Sequence, residues 1–171
     1  MKDLLQNKSW VKRLTAIIAG ILLPFAFSPF DIYFLSFVSL GLIFYLWSIT
    51  PSHKEAFILG YLFGFALFGV GVNWLHISIN LFGGVNLIGA LAFTYMLVAF
   101  IALYPALCGC LAVRFFNKTL LFSLPALWLL TEWFRGWLLT GFPWLNLGTS
   151  QTNSLLANYA PVIGDYGISY I

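Results

Sequence analysis

An all-α, polytopic transmembrane helical bundle is the architecture this sequence dictates, for three reasons. Hydrophobic residues make up 61% of its 171 positions and charged residues only 8%, against about 25% charged in a soluble domain. Positions 56–113 contain no Asp, Glu, Lys or Arg at all, so no water-facing surface can be built from them. The apolar runs are continuous rather than alternating in ten-residue segments, which selects helices over a closed barrel.

A span needs about 20 apolar residues, and the sequence supplies five candidates behind a basic segment at 1–13. Leu14–Phe27 and Ile32–Ile49 are short, and the turn Ser28-Pro29-Phe30-Asp31 joins them as a hairpin. The first run has a basic front, and Ala26-Phe27-Ser28 imitates a signal-peptide cleavage site. Proline directly after the candidate bond, with another span following at once, makes it an uncleaved anchor instead. Ala56–Ile79 carries Gly60, Gly64 and Gly71 on one helical face, a small-residue surface for close packing. Leu87–Val113 holds Ala102, Pro105 and Ala106 in the same packing role, and Pro105 is expected to kink it. Its Cys108 and Cys110 point to different faces, so they read as buried apolar thiols rather than a disulfide or a metal site. Thr119–Thr140 is the fifth span, with a second kink expected at Pro125. The stretch 160–171 reads as the opening turns of a truncated sixth span, so the chain is expected to be a fragment or one half of a split protein. The spans together form one domain over 14–171.

Basic residues lie in alternate gaps between the spans: Lys2, Lys8, Lys12 and Arg13, then Lys54, then Arg114 and Lys118. The connections near Asp31, at Asn80–Asn86 and at Gly141–Tyr159 carry no Lys or Arg. The positive-inside rule therefore predicts a cytoplasmic N-terminus, with those three connections facing outward. The net charge of +3 is a topology signal and implies no nucleic-acid partner.

One run stands apart. Trp128–Gly148 reads WLLTEWFRGWLLTGFPWLNLG and places Glu132 and Arg135 inside an apolar helix. Each charge costs about 2.5–3.5 kcal/mol at the centre of a membrane helix, so such residues are usually paired or functional. Their i,i+3 spacing lets them neutralise one another as an ion pair pinning the bundle. Alternatively, the planar fork of Arg135 suits a lipid phosphate. Trp128 shares their face, and Trp133 with Trp137 forms a second aromatic stripe. Gly141 and Pro143 are expected to stop the helix. Phe142, Trp144 and Leu145 then suit a re-entrant loop at the rim of an acyl-chain cavity. Trp74, with His76, Ser78 and Asn80 after it, brings a further aromatic and polar groups to an outward end.

Several blocks together resemble the amino-terminal membrane portion of the apolipoprotein N-acyltransferase family: Phe25–Asp31, Gly60–Ser78, Phe82-Gly83-Gly84, Pro125–Gly148 with Ser150-Gln151, and Ala160–Ser169. They occur in order from position 25 to position 169, along most of the chain's length. The resemblance implies an N-in helical bundle in the bacterial inner membrane that carries an outward nitrilase-like domain. It also implies transfer of an acyl chain from a phospholipid donor to the α-amino group of a diacylglyceryl-cysteine lipoprotein, through a thioester on a catalytic Cys assisted by a Glu and a Lys. Those three residues belong to the nitrilase-like domain, so no residue here inherits a catalytic role and this chain alone is expected to be inactive. No cofactor and no metal is implied.

The lipid-binding candidates are accordingly Trp74, Glu132, Arg135, Phe142 and Trp144. The partners implied are the phospholipid donor, the lipoprotein acceptor, the bilayer and a missing or separately encoded nitrilase-like part. Two rivals of other classes are a small transporter or channel subunit using the intramembrane charges, and a non-catalytic membrane scaffold for a separate enzyme. Against the transporter stands the lack of paired broken helices in matching halves.

Overall fold

The protein, as a computed structural model, is described over residues 8–116 and 119–171. Expectations resting on Lys2, on Lys118 and on the first seven positions of the basic segment lie outside the described residues. Helix α1 (Ser9–Leu22) begins inside that basic segment and tightens into a 3-10 turn over Leu23–Ala26, where Pro24 sits at the start and needs no donor. Helix α2 (Phe34–Ser48) returns antiparallel to it. Ser39 Oγ donates to the Ala19 carbonyl at 2.7 Å, and Lys12 Nζ donates to Thr50 Oγ1 at 3.3 Å. The expected hairpin is therefore present.

Helix α3 (His53–Gly71) is capped by the Ser52 side chain and runs parallel to α1, tied to it where Arg13 and Ser9 both reach Glu55 at 2.9 and 2.7 Å. The run expected as one helix to Ile79 is broken at 72–74 and resumes as α4 (Leu75–Gly83). Helices α5 (Leu87–Ile101) and α6 (Leu103–Phe115) are separated by a turn at Ala102. Pro105 lacks the N–H that would bond the Ile101 carbonyl, so the interruption falls where expected. Gly60 lies against Pro105 and Ala106, and Gly64 lies against Ala102 and Pro105. The small faces of α3 and α6 meet in antiparallel contact, as their spacing predicts. Gly71, expected on the same surface, meets the Leu145 side chain instead.

Helix α7 (Leu120–Trp137) contains Pro125 and ends four residues before Gly141. A 3-10 turn over Leu138–Thr140 follows, with Leu139 and Thr140 in left-handed backbone. Two further 3-10 turns, Leu147–Gln151 and Leu155–Tyr159, lead to α8 (Ala160–Tyr170), which is divided at Gly164.

Trp47, Phe63 and Trp128 anchor the core among Leu23, Ile43, Leu46 and Leu59. Trp128 crosses from α7 to meet Phe44 and Phe63 edge-on. The outer surface is also apolar, with Phe37, Ile88, Met96 and Phe122 exposed, as lipid contact requires. Three stretches, Ser9–Ala26, His53–Gly71 and Leu87–Phe115, are long and apolar enough to cross a membrane. The helix directions put Lys12, Arg13, Lys54 and Arg114 at one end of the bundle. The 141–152 loop lies at the other, beside the C-terminal end of α3.

Candidate functional site

The segment after α7 has few backbone partners of its own, because it leaves the helix inside an apolar region where unbonded N–H and C=O groups are costly. The two intramembrane charges supply the partners. Arg135 Nη1 donates to the carbonyls of Phe142, at 2.8 Å, and of Trp144, while Nη2 donates to Asn146 Oδ1 at 2.7 Å. The Phe142 N–H returns a 2.7 Å bond to the Arg135 carbonyl. The guanidinium also lies 5.2 Å from the centre of the Phe68 ring on α3. Glu132 Oε1 accepts from the Leu147 N–H at 2.7 Å and from Trp128 Nε1 at 3.1 Å. Both residues are only 3% exposed.

The expected ion pair is therefore absent: among the described residues Glu132 and Arg135 form no salt bridge with each other. The reason is competition. The loop folds back within reach of the i,i+3 pair and offers orphan backbone groups to which each side chain is bonded. Gly141 makes the fold-back possible, since at φ 81° it lies so close to the Gly136 carbonyl that no Cβ would fit.

The clamped loop forms one wall of an open cavity of about 760 Å³, within the range of small-ligand pockets. The opposite walls are Pro24–Phe30 of the first hairpin and Val70, Gly71 and Trp74 at the α3–α4 break. Pro143, Trp144 and Leu145 contribute from the loop, with Thr149 and Thr152 beyond them. Trp74 and Trp144 approach to 6.4 Å between ring centres and are 44% and 51% exposed. Phe142 backs Trp144 at 5.2 Å. Leu145, in left-handed backbone, presses its side chain onto Gly71 and so fixes the loop against α3. No lining residue is charged; the surface is apolar with three hydroxyls from Ser28, Thr149 and Thr152.

Of the five residues singled out from sequence, Trp74 and Trp144 line the cavity and Phe142 supports its rim. Glu132 and Arg135 stand behind the loop and hold it. His76 bonds the Asn73 carbonyl in its own turn, and Cys108 is buried in the core away from the cavity. Sequence reasoning passed over the Pro24–Phe30 wall as a lining element, and it missed Asn146 and Asp165. Asn146 Nδ2 donates to Asp165 Oδ2 at 2.9 Å. Each is a lone polar residue in an apolar run, the same signal that marked Glu132.

Known proteins place this geometry in context. A family profile described as the apolipoprotein N-acyltransferase N-terminal domain matches residues 19–171. The chain is 44% identical over 162 residues to an apolipoprotein N-acyltransferase of Methylococcus capsulatus, covering 92% of this chain and 32% of that protein. It is 43% identical to those of Vibrio cholerae and Coxiella burnetii, over 90% and 91% of this chain and 31% and 33% of theirs. The chain thus spans about a third of the length of the curated relatives it matches.

Proposed function

Because this chain belongs to the apolipoprotein N-acyltransferase N-terminal domain family, we propose that it is the membrane portion of such an enzyme and that its open cavity receives lipid acyl chains. The whole enzyme then transfers an acyl chain from a phospholipid to the α-amino group of a diacylglyceryl-cysteine lipoprotein. The reading rests on one observation: a large uncharged cavity, rimmed by the exposed indoles of Trp74 and Trp144, at the end of the bundle remote from Lys12, Arg13, Lys54 and Arg114. By the positive-inside rule that end faces outward from the bacterial inner membrane. The chemistry belongs to a nitrilase-like part beyond this chain, and this chain binds lipid without turning it over.

In this reading Trp74, Phe142 and Trp144 are the lipid contacts. Glu132 and Arg135 shape the site through the loop, since the guanidinium already serves two carbonyls and an amide. The transporter alternative has no comparable support, because neither charge lines the cavity.

The test is photo-crosslinking in bilayer nanodiscs, using a phospholipid with a diazirine near the end of one acyl chain. Adducts are expected to concentrate on the peptides holding Trp74, Trp144 and Phe25–Phe30. Adducts spread evenly around the bundle would overturn the cavity reading. In the same preparation, acyl transfer to a diacylglyceryl peptide is expected to be absent, and turnover by this chain would contradict its role as a binding portion.

A further inference from the structure

The rim residue Trp144 has no helix to hold it, and its carbonyl is fixed by Arg135. Arg135 is itself oriented by Asn146, which is 4% exposed and accepts from Nη2. The same Asn146 side chain donates to Asp165 on α8. An amide does both jobs at once, presenting a carbonyl to a guanidinium and an N–H to a carboxylate. A carboxylate at 146 accepts but cannot donate. An aliphatic residue does neither.

The geometry points to Asp165 as a positioning residue for the lipid cavity, acting through Asn146 and Arg135 on the backbone of Trp144. Two elements that share no backbone bonding are thereby joined: α8 supplies an acceptor, and the rim of the cavity receives its effect three groups away. Gly148 strengthens the assignment. Its Cα lies so close to Asp165 that a Cβ would strike both the Asp165 carbonyl and Oδ1, while the Gly148 N–H donates to Ser169 Oγ at 2.8 Å. Helix α8 is thus seated directly on the loop at the level where the relay crosses. The inference rests on the proposed acyl-chain role of the cavity, which it deepens by naming what holds the rim in register.

A reciprocal exchange tests it. Asn146→Asp sets two carboxylates face to face and breaks the relay. Asp165→Asn alone keeps an acceptor for the Asn146 amide. The double variant Asn146→Asp with Asp165→Asn restores both bonds with the polarity reversed, so that Asp at 146 accepts from Arg135 and from the new amide. Each variant of the full chain is assayed with the diazirine phospholipid, and amide hydrogen exchange at Phe142 and Leu147 reads the loop independently of lipid. Asn146→Asp is expected to lose about tenfold in adducts at Trp144, the scale of one charged hydrogen bond, with faster exchange at Phe142. Asp165→Asn and the double variant are expected to stay within about twofold of wild type, as preserved or restored bonds require.

If wild type labels Trp144 but Asn146→Asp labels it equally, or the double variant fails to recover, the relay is wrong while the cavity stands. If wild type itself labels the bundle evenly, the cavity reading has failed, and the exchange rates at Phe142 alone decide whether the relay orders the loop. Loss of folding in Asn146→Asp leaves the double variant as the deciding case, because only a bonded relay predicts its recovery.

Discussion

At the residue scale, the costly charges of α7 are explained by what they bond. Glu132 accepts two hydrogen bonds through one oxygen, and its charge lies within electrostatic reach of Arg135. Glu132→Gln keeps an acceptor oxygen, and removing the buried charge relieves desolvation while giving up attraction to Arg135, two effects that oppose each other. Glu132→Leu leaves the Leu147 N–H and the Trp128 indole N–H without a partner in a buried place. Each orphan costs about 1–3 kcal/mol. Unfolding in mixed detergent micelles is therefore expected to show Glu132→Gln within about 1 kcal/mol of wild type and Glu132→Leu less stable by about 3 kcal/mol. Equal damage from both would mean that charge, and not acceptance, is what the site needs. The cost of these residues was legible from the sequence, since an acid and a base in an apolar helix stand out. Their partners were not. The loop that claims them begins six residues past Arg135 in sequence and folds back only because Gly141 and the left-handed Leu139 and Thr140 permit it.

At the element scale, the small-residue periodicity of α3 and α6 carried real information. Gly60, Gly64, Ala102 and Ala106 meet as their spacing requires. The break at 72–74 was missed although Gly71 ends the helix and Asn73 lies within the break, both ordinary helix-stop residues. Loop side chains pack there, with Leu145 on Gly71 and Trp144 beside Trp74. Pro125, by contrast, lies inside a helix that continues on both sides of it. The α3–α6 approach yields a graded prediction. A Cβ at Gly60 would collide with the Pro105 carbonyl and with Ala106 Cα at 2.8 Å, all of it backbone that cannot swing aside. A Cβ at Gly41 on α2 meets nothing within 4 Å. Gly60→Ala is expected to destabilise by about 1–3 kcal/mol, as overpacking does, and Gly41→Ala to change stability by less than about 0.5 kcal/mol. Thermal melts of the two variants in one detergent check both. Equal melting temperatures would show that the helices can separate freely at that contact.

At the scale of the whole molecule, charge and aromaticity divide the bundle into two unlike ends. Lys12, Arg13, Lys54 and Arg114 mark one, and Arg13 is bound there to Glu55. The opposite end holds the cavity, with Trp74 and Trp144 exposed at its rim and Trp133 and Trp137 exposed on the last turns of α7, as an interfacial belt would be. Arg135 is the one described basic residue toward that end. It does not count as a loop charge, because it lies within α7, buried and bonded to the loop. With Lys8 at the start of α1, the described balance is then five basic residues against none, and the positive-inside rule predicts a cytoplasmic basic end and an outward cavity. A reporter active only outside the cytoplasm is expected to work when fused after Thr152 and to fail when fused after His53. The reverse pattern would place the aromatic rim in the cytosol. The cavity could then still hold acyl chains, but it would draw them from the inner leaflet, and a donor-lipid role on the outer face would be lost. Relocating charge gives the stricter form of the test. Substituting Lys12, Arg13 and Lys54 by Gln removes most of the described bias while leaving the cavity untouched, so the reporter after Thr152 is expected to lose activity in proportion to the chains inserted the other way. Unchanged activity would mean that something other than basic residues sets the orientation of this bundle.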